Sequence, residues 1–298
     1  MVKIPTNADV LPPSDDYIFK TLLTLPEAKP VLIDIISTVI ERRVVEVQVR
    51  NTELPVTDIN EKAERLDVNC VVDSGDQVNV EMQASRIEEI AQDHRSFKNK
   101  SVYYLTDLHS SQKSKGVEYH NFVRTYQVTF CTYTVLPERL DFVNRFSLRT
   151  PDGEEFSDQL NMIIIELSKL NDALKKPVDG LSSLEMWSLF FKFAPDLKYR
   201  KLINDIISQK EEIGMATALL MEISKDEQER ARFRSRKMFE TDVTSNLLTA
   251  EARGEARGEA RGRIEGRLDV AKKLKAVGVD ISIIVSSTGL TADEIRCL

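Results

Sequence analysis

Two carboxylates and a neighbouring amide in the first third of the chain have the types and spacing that suit metal-assisted hydrolysis of a phosphodiester. Thirteen residues separate Asp67 from Glu81, and Gln83 follows Glu81 by two positions. Two carboxylates held side by side repel each other unless a cation lies between them. An Asp and a Glu within reach of one another are good oxygen ligands for Mg²⁺, with Mn²⁺ or Ca²⁺ as substitutes. A metal bound there polarises a phosphoryl oxygen and makes bound water a better nucleophile.

The residues around these carboxylates predict a β-hairpin. Apolar residues alternate with mostly polar ones on both sides of residues 73–75, which is typical of half-buried strands. The turn fits a three-residue loop with its glycine in the left-handed conformation, which pairs Val72 with Asp76. That register places Asp67 opposite Glu81, whereas a two-residue loop would mix the apolar and polar faces. The same alternation also fits an ordinary hairpin whose acidic residues face solvent.

An ordered series of short motifs resembles the recombination-promoting nuclease (Rpn) and transposase family of bacteria, within the PD-(D/E)XK nuclease superfamily. The series comprises Asp16 to Lys20, Arg65 to Asp67, Glu81 to Gln83, Tyr103 and Tyr104, Ser110 to Gln112, Gly116 with Tyr119, Ile164 to Lys169, Ser224 to Glu227 and the Glu-Ala-Arg-Gly tail. The resemblance spans most of the chain. It implies an α/β fold with a mixed central sheet flanked by helices, and Mg²⁺-dependent cleavage of DNA.

The resemblance also implies roles for particular residues. Asp67 and Glu81 would bind the metal together with the backbone carbonyl of Met82, and Gln83 stands where the superfamily usually has lysine. Glutamine is neutral and can only hydrogen-bond, so Gln83 is expected to orient the attacking water. Asp16, at the start of the first core helix, is expected either to bring a further acidic group to the metal or to be an acidic residue of the capping turn.

Basic and aromatic residues near the hairpin are candidates for contact with DNA. Arg65 precedes the first carboxylate by two positions and so points to the same face of an extended strand, where it could neutralise that carboxylate or bind a phosphate. A helix predicted over about 88–113 carries basic and aromatic side chains, among which the resemblance singles out Arg95, Tyr104 and Gln112. The alternative is that Tyr104 belongs to the core and that the basic residues are solvated.

The chain as a whole divides into a mixed N-terminal part and a helical C-terminal region. Ser14 is expected to cap the first helix. Helices are predicted at about 14–25 and 28–43, and strands at about 45–49, 121–136, 142–148 and 161–167. The predicted domains are a PD-(D/E)XK core over 1–170, a helical region over 171–249, a repeat over 250–268 and a C-terminal helical hairpin over 269–298.

The repeat consists of Glu-Ala-Arg-Gly three times within residues 250–262. On a helix its opposite charges lie two or six positions apart, never three or four, so it gains no favourable side-chain pairs. Each interior glycine costs about 1 kcal/mol relative to alanine. The repeat is therefore expected to be a marginal helix or a flexible linker, and pairing with a second copy, Glu ridge to Arg ridge, would order it in a homo-oligomer.

The last residues resemble a minimal helix-turn-helix. Thr291 and Glu294 form a predicted capping box after a turn at Gly289. Recognition helices present polar and basic residues to base edges, and here Arg296 alone is available. A packing or oligomerisation role is therefore favoured over DNA readout.

The composition fits a globular protein of the cytoplasm. The 298 residues carry a net charge of −7, and neither an apolar run of about 18 residues nor an apolar signal core is found, so no membrane association is expected. Cys70, Cys131 and Cys297 have no metal-ligand spacing and are expected to be reduced thiols. The acidity argues against a general nucleic-acid coat protein but allows a locally basic binding face. A catalytically weak or inactive DNA-binding or protein-interaction module is therefore the alternative to a DNA endonuclease, and an antiphage or toxin nuclease would use the same chemistry.

Overall fold

The computed structural model describes residues 2–50, 68–84, 94–113 and 118–298. Arg65 and Asp67 lie outside the described residues, so their predicted positions stay predictions. The chain forms two units, Met1–Ser235 and Arg236–Leu298. None of the described helices combines the length and the apolarity needed to cross a lipid bilayer.

In its described part, the first unit contains a six-stranded mixed sheet with helices on both faces. The strands are β1 (Val47–Val49), β2 (Val68–Val72), β3 (Gln77–Gln83), β4 (Thr125–Cys131), β5 (Val143–Arg149) and β6 (Glu155–Glu166). The helices are α1 (Asp16–Thr24), α2 (Lys29–Ile40), α3 (His94–Ser110), α4 (Ser183–Phe193), α5 (Arg200–Gln209), α6 (Glu211–Lys225) and α7 (Glu227–Ala276), which contains the boundary between the units. This architecture confirms the predicted α/β fold class.

The strand order is β1-β2-β3-β4-β6-β5. The β3–β4 and β4–β6 pairs are parallel, and the β1–β2, β2–β3 and β5–β6 pairs are antiparallel. The parallel strands β3, β4 and β6 therefore form the centre of the sheet. On either side of them, β2 pairs antiparallel with β3, and β5 pairs antiparallel with β6.

The hairpin β2–β3 has the predicted turn and register. The N–H of Val72 donates to the carbonyl of Asp76 at 3.1 Å, and Gly75 has a φ of 85°. Pairing continues as far as Val68 opposite Val80. The predicted half-exposure of β3 is wrong, because all seven of its residues are buried. This strand lies between β2 and β4, and its polar side chains face α3 instead of solvent.

The two faces of the sheet differ in chemistry. One face packs against α1, α2, α4, α5 and α6 in a single apolar core that includes Val78, Val80 and Met82. The other face packs against α3, where Phe97 contacts an apolar cluster with Ile164 of β6. Beneath the same helix, however, β3 and β4 present polar side chains. The part of the sheet under α3 is therefore where a polar site can form.

Three element boundaries differ from the predicted ones. Asp15 caps α1 instead of Ser14, and its carboxylate accepts the N–H groups of Tyr17 and Ile18. The strand predicted over 121–136 is shorter, since the residues after β4 contribute buried side chains without strand pairing among the described residues. β6 begins at Glu155, earlier than predicted, because its first residues pair with β5 before the strand reaches β4 at Leu160.

In the second unit the Glu-Ala-Arg-Gly repeat is helical and exposed. Its ion pairs form where the strict repeat ends, between Glu259 and Arg263 and between Arg261 and Glu265. Both pairs are four residues apart, which is the favourable helical spacing that the repeat itself lacks. The homo-oligomer predicted from this segment stays a prediction.

The end of the second unit forms the predicted helical hairpin. It consists of α8 (Ile281–Thr288) and α9 (Ala292–Cys297), and the capping box of Thr291 and Glu294 is present. The buried residues Ala271, Ile284 and Ile295 join these helices to the end of α7. This apolar contact fits the packing alternative of the prediction, and the oligomerisation alternative stays a prediction.

Candidate functional site

A row of polar side chains lies buried between the sheet and α3. It consists of Asn79, Glu81 and Gln83 on β3 with Gln127 and Thr129 on β4, and is called the polar row below. In the parallel β3–β4 pair Asn79 is the partner of Gln127, and Glu81 is the partner of Thr129. Side chains two positions apart on a strand share a face, so the register brings all five together. Burying polar groups costs free energy unless they are paired, which makes the polar row a candidate site.

The Glu81 carboxylate is the charged centre of the polar row, with only 8% of the residue exposed. Its Oε2 accepts a hydrogen bond from Nε2 of Gln127 at 3.0 Å, and its Oε1 accepts one from Nζ of Lys100 at 2.9 Å. Gln127 is fully buried and is held in turn by Asn79, whose Nδ2 donates to Oε1 of Gln127 at 3.0 Å. Both carboxylate oxygens therefore have fixed directions, and each retains capacity for a further partner.

Lys100 reaches the polar row from α3. Its Nζ also donates to Oε1 of Gln83 at 3.2 Å and lies 5.2 Å from the ring centroid of Tyr104. The buried stripe of this helix includes Phe97, Tyr104 and Leu108, and Lys100 falls three residues after the first and four before the second. Helical periodicity therefore directs its ammonium group toward the sheet.

The oxygen atoms in and beside the polar row are of the kind that bind a hard divalent cation. Asn69 on β2 lies opposite Asn79, and the side-chain oxygens of both are buried without a hydrogen-bond partner among the described residues. A buried acceptor without a partner costs about 1–3 kcal/mol. Carboxylate and amide oxygens are the ligands that Mg²⁺ takes in proteins, so Glu81 and the two amide oxygens suit the metal that the resemblance implies.

The structure brings together three of the predicted site residues. Glu81, Gln83 and Tyr104 meet around the ammonium group of Lys100. Tyr104 is buried and so belongs to the core of the helix–sheet contact as well, which was the alternative left open.

Two further predicted residues lie on or near the opposite face. The side chain of Met82 is part of the apolar core. Asp16 is the first residue of α1, which packs on that core, and its Oδ1 accepts the N–H of Tyr17 at 2.8 Å. The metal-binding roles of Asp16 and of the Met82 carbonyl stay predictions, as does that of Asp67.

The remaining candidates for DNA contact lie along α3 and just beyond it. Arg95 is exposed near the start of the helix. Gln112 pairs with the backbone of Val123, accepting its N–H at 2.8 Å and donating to its carbonyl at 2.9 Å. Gln112 also donates to Oγ1 of Thr125 at 3.1 Å, at the start of β4. Gln112 therefore positions the strand that carries Gln127, and DNA binding by Arg95 and Gln112 stays a prediction.

Glu166, the acid inside the last predicted strand, is committed to structural contacts. Its Oε1 accepts the N–H groups of Val135 and Leu136 at 2.8 and 3.0 Å, and its Oε2 accepts Nζ of Lys169 at 2.5 Å. Glu166 is therefore a structural residue and not part of the polar row.

Sequence reasoning did not single out Lys100 and Gln127 as site residues. Each left a weak signal in the sequence. Lys100 is a charged residue on the apolar stripe of a predicted helix, and Gln127 alternates with apolar residues inside a predicted buried strand. Neither residue can be assigned to the site until the pairing of β3 with β4 and the packing of α3 on the sheet are known.

Comparison with known proteins identifies one family. A family model described as PD-(D/E)XK nuclease family transposase matches residues 13–250, which is most of the chain. The matched range includes all six strands and the helices α1 to α6. No curated protein and no solved structure gives a significant match.

Proposed function

Because the chain belongs to the PD-(D/E)XK nuclease family transposases, we propose that it is a Mg²⁺-dependent DNA endonuclease that acts in transposition or recombination in the cytoplasm. The family supports nuclease activity with DNA as substrate. The observation that carries the proposal is the buried Glu81 carboxylate, which Gln127 and Lys100 hold at its two oxygens.

Glu81 and Asp67 are the proposed metal ligands, with the Met82 carbonyl as a third. The proposal extends the described β2–β3 register by one residue, which would place Asp67 opposite Glu81. When bound, the ion would polarise a phosphoryl oxygen and increase the nucleophilicity of its water. Asp16 is a candidate for a further acidic group.

The chain's own residues orient the reactants in this proposal. Gln127 fixes the direction of one Glu81 oxygen through a fully buried hydrogen bond, so that the other stays directed toward α3. Preorganised groups of this kind need no rearrangement as the reaction proceeds. Gln83, an amide with both donor and acceptor atoms, would orient the attacking water. Arg65 and Arg95 would bind backbone phosphates, which position the duplex without reading its sequence.

A second candidate function is a DNA-binding or protein-interaction module without turnover. It is favoured by the neutral Gln83 and by the net charge of −7. The two functions differ in their need for a metal, because a binding module has no use for Mg²⁺ affinity at Glu81 and Asp67.

The test is a nicking assay on supercoiled plasmid with purified protein, in Mg²⁺ and in EDTA. We expect nicking in Mg²⁺ that is absent in EDTA and absent in Asp67→Ala and Glu81→Ala. The matched control is Glu138→Gln, an exposed carboxylate whose Oε1 lies 3.9 Å from Nζ of Lys98 on α3, and it should nick as the wild type does. Nicking that persists in both alanine variants would overturn the proposed site, and a wild type that retards DNA without nicking it would favour the binding module.

A further inference from the structure

We propose that Lys100 supplies the positive charge that stabilises the reacting phosphate in this site. This inference rests on the proposed function. It assigns a specific role to a residue of α3, which lies outside the hairpin that carries the acidic ligands.

The geometry places the ammonium group of Lys100 between the two functional side chains of β3. Its Nζ is 2.9 Å from Oε1 of Glu81 and 3.2 Å from Oε1 of Gln83. The side chain is 35% exposed, so the charge lies at the boundary between the polar row and solvent. A group bound at the outer side of Glu81 would therefore meet this ammonium.

The chemistry of phosphodiester hydrolysis requires such a charge. Negative charge grows on the phosphoryl oxygens as the nucleophile attacks, and a preorganised cation stabilises it. Gln83 is neutral and can offer only a hydrogen bond. Among the described residues of the polar row and its contacts, Lys100 is the group that carries a positive charge.

A competing explanation gives Lys100 a purely structural role, which is to neutralise a buried carboxylate. Breaking a buried pair by removing one partner is costly, because it leaves the other charge unpaired. The two explanations diverge at saturating Mg²⁺. If Lys100 only neutralised Glu81, bound Mg²⁺ would take over that role and the defect would disappear. If Lys100 acts on the phosphate, the defect persists at every Mg²⁺ concentration.

The experiment measures single-turnover plasmid cleavage across a Mg²⁺ titration for wild type, Lys100→Met, Lys98→Met and the double variant Gln83→Lys/Lys100→Met. Methionine keeps the aliphatic stem of lysine and removes the charge. Lys98 is the matched control, because it lies on the same helix and pairs with Glu138 at 3.9 Å, outside the polar row. The double variant places a positive charge at position 83, which lies beside Glu81 on the same face of β3.

For Lys100→Met we expect the cleavage rate at saturating Mg²⁺ to fall by about 100-fold or more, with a half-saturating Mg²⁺ concentration that is equal or lower. Lys98→Met should stay within about 3-fold of the wild type, since exposed charges far from the reacting group contribute little. The double variant should recover at least about a tenth of the lost rate, because the charge and not the helix position is what the reaction needs.

A metal-free readout is available in EDTA. There, the affinity of wild type and Lys100→Met for a short duplex is measured against salt concentration. Loss of one phosphate contact should reduce the slope of log affinity against log salt by about 1. The double variant should restore the slope, so the assignment does not depend on cleavage alone.

Each outcome decides the matter. A wild type that does not cleave would overturn the proposed function and the assignment of Lys100 with it. A wild type that cleaves, together with a Lys100→Met variant that cleaves equally at saturating Mg²⁺, would overturn the Lys100 assignment and leave the proposed function intact. If Lys100→Met fails to fold, the double variant decides: a folded double variant without cleavage overturns the assignment, and one with recovered cleavage supports it.

Discussion

Replacing Glu166 by glutamine should destabilise the first unit strongly. The carboxylate is fully buried and accepts the N–H groups of Val135 and Leu136 at Oε1 and the ammonium group of Lys169 at Oε2. A glutamine side chain must present its NH₂ group either to the two backbone N–H groups or to the ammonium group, so donors face donors. Removing one partner of a buried charge pair costs about 3–5 kcal/mol. With an m-value of about 3 kcal/mol/M, the urea midpoint should fall by about 1–1.7 M.

The fluorescence of Trp187 reports this change directly. It is the one tryptophan of the chain and is fully buried in the core of the first unit. Glu138→Gln is the control, since this exposed carboxylate should change the free energy of unfolding by no more than about 0.5 kcal/mol. A free energy of unfolding for Glu166→Gln within about 0.5 kcal/mol of the wild type would refute the reasoning, because the charge of the buried carboxylate would then contribute little to stability.

Two further predictions concern residues near the polar row and the thiols. Gln112→Ala should lower the free energy of unfolding by about 1–3 kcal/mol, because it leaves the N–H and carbonyl of Val123 without their partner; a urea midpoint equal to that of the wild type would contradict this. Burial raises the pKa of the Cys70 thiol to about 12, so a thiol reagent at pH 8 should label the exposed Cys297 in the native protein and reach Cys70 only after denaturation. Rapid native labelling of Cys70 would show that β2 is not closed as described.

The hairpin could be predicted from the sequence because its determinants are local. Alternating side chains set the two faces of β2 and β3, and a turn that needs a glycine at positive φ sets the register. The pairing of Val72 with Asp76 follows from these local determinants, and Arg42 adds contacts with Ser74 and Asp76 from outside the hairpin. The Glu166–Lys169 pair could likewise be predicted from the sequence, since the two residues are three positions apart.

The burial of β3 could not be predicted in this way. It arises from parallel pairing with β4, about 48 residues further along the chain, and from the cover that α3 provides. The contacts of Glu81 with Gln127 and Lys100 are products of that tertiary arrangement. Spacing along the chain singled out Glu81, but not the side chains that contact it.

The most direct test of the central claim is the binding of Mn²⁺, a substitute for Mg²⁺, followed by electron paramagnetic resonance in the absence of DNA. The signal of free Mn²⁺ is lost on binding, so the titration gives both affinity and stoichiometry. We predict saturable binding to the wild type and to Glu138→Gln, and its loss in Glu81→Ala and in Asp67→Ala. Binding of equal affinity in wild type and both alanine variants would contradict the claim that Glu81 and Asp67 form the metal centre of this nuclease.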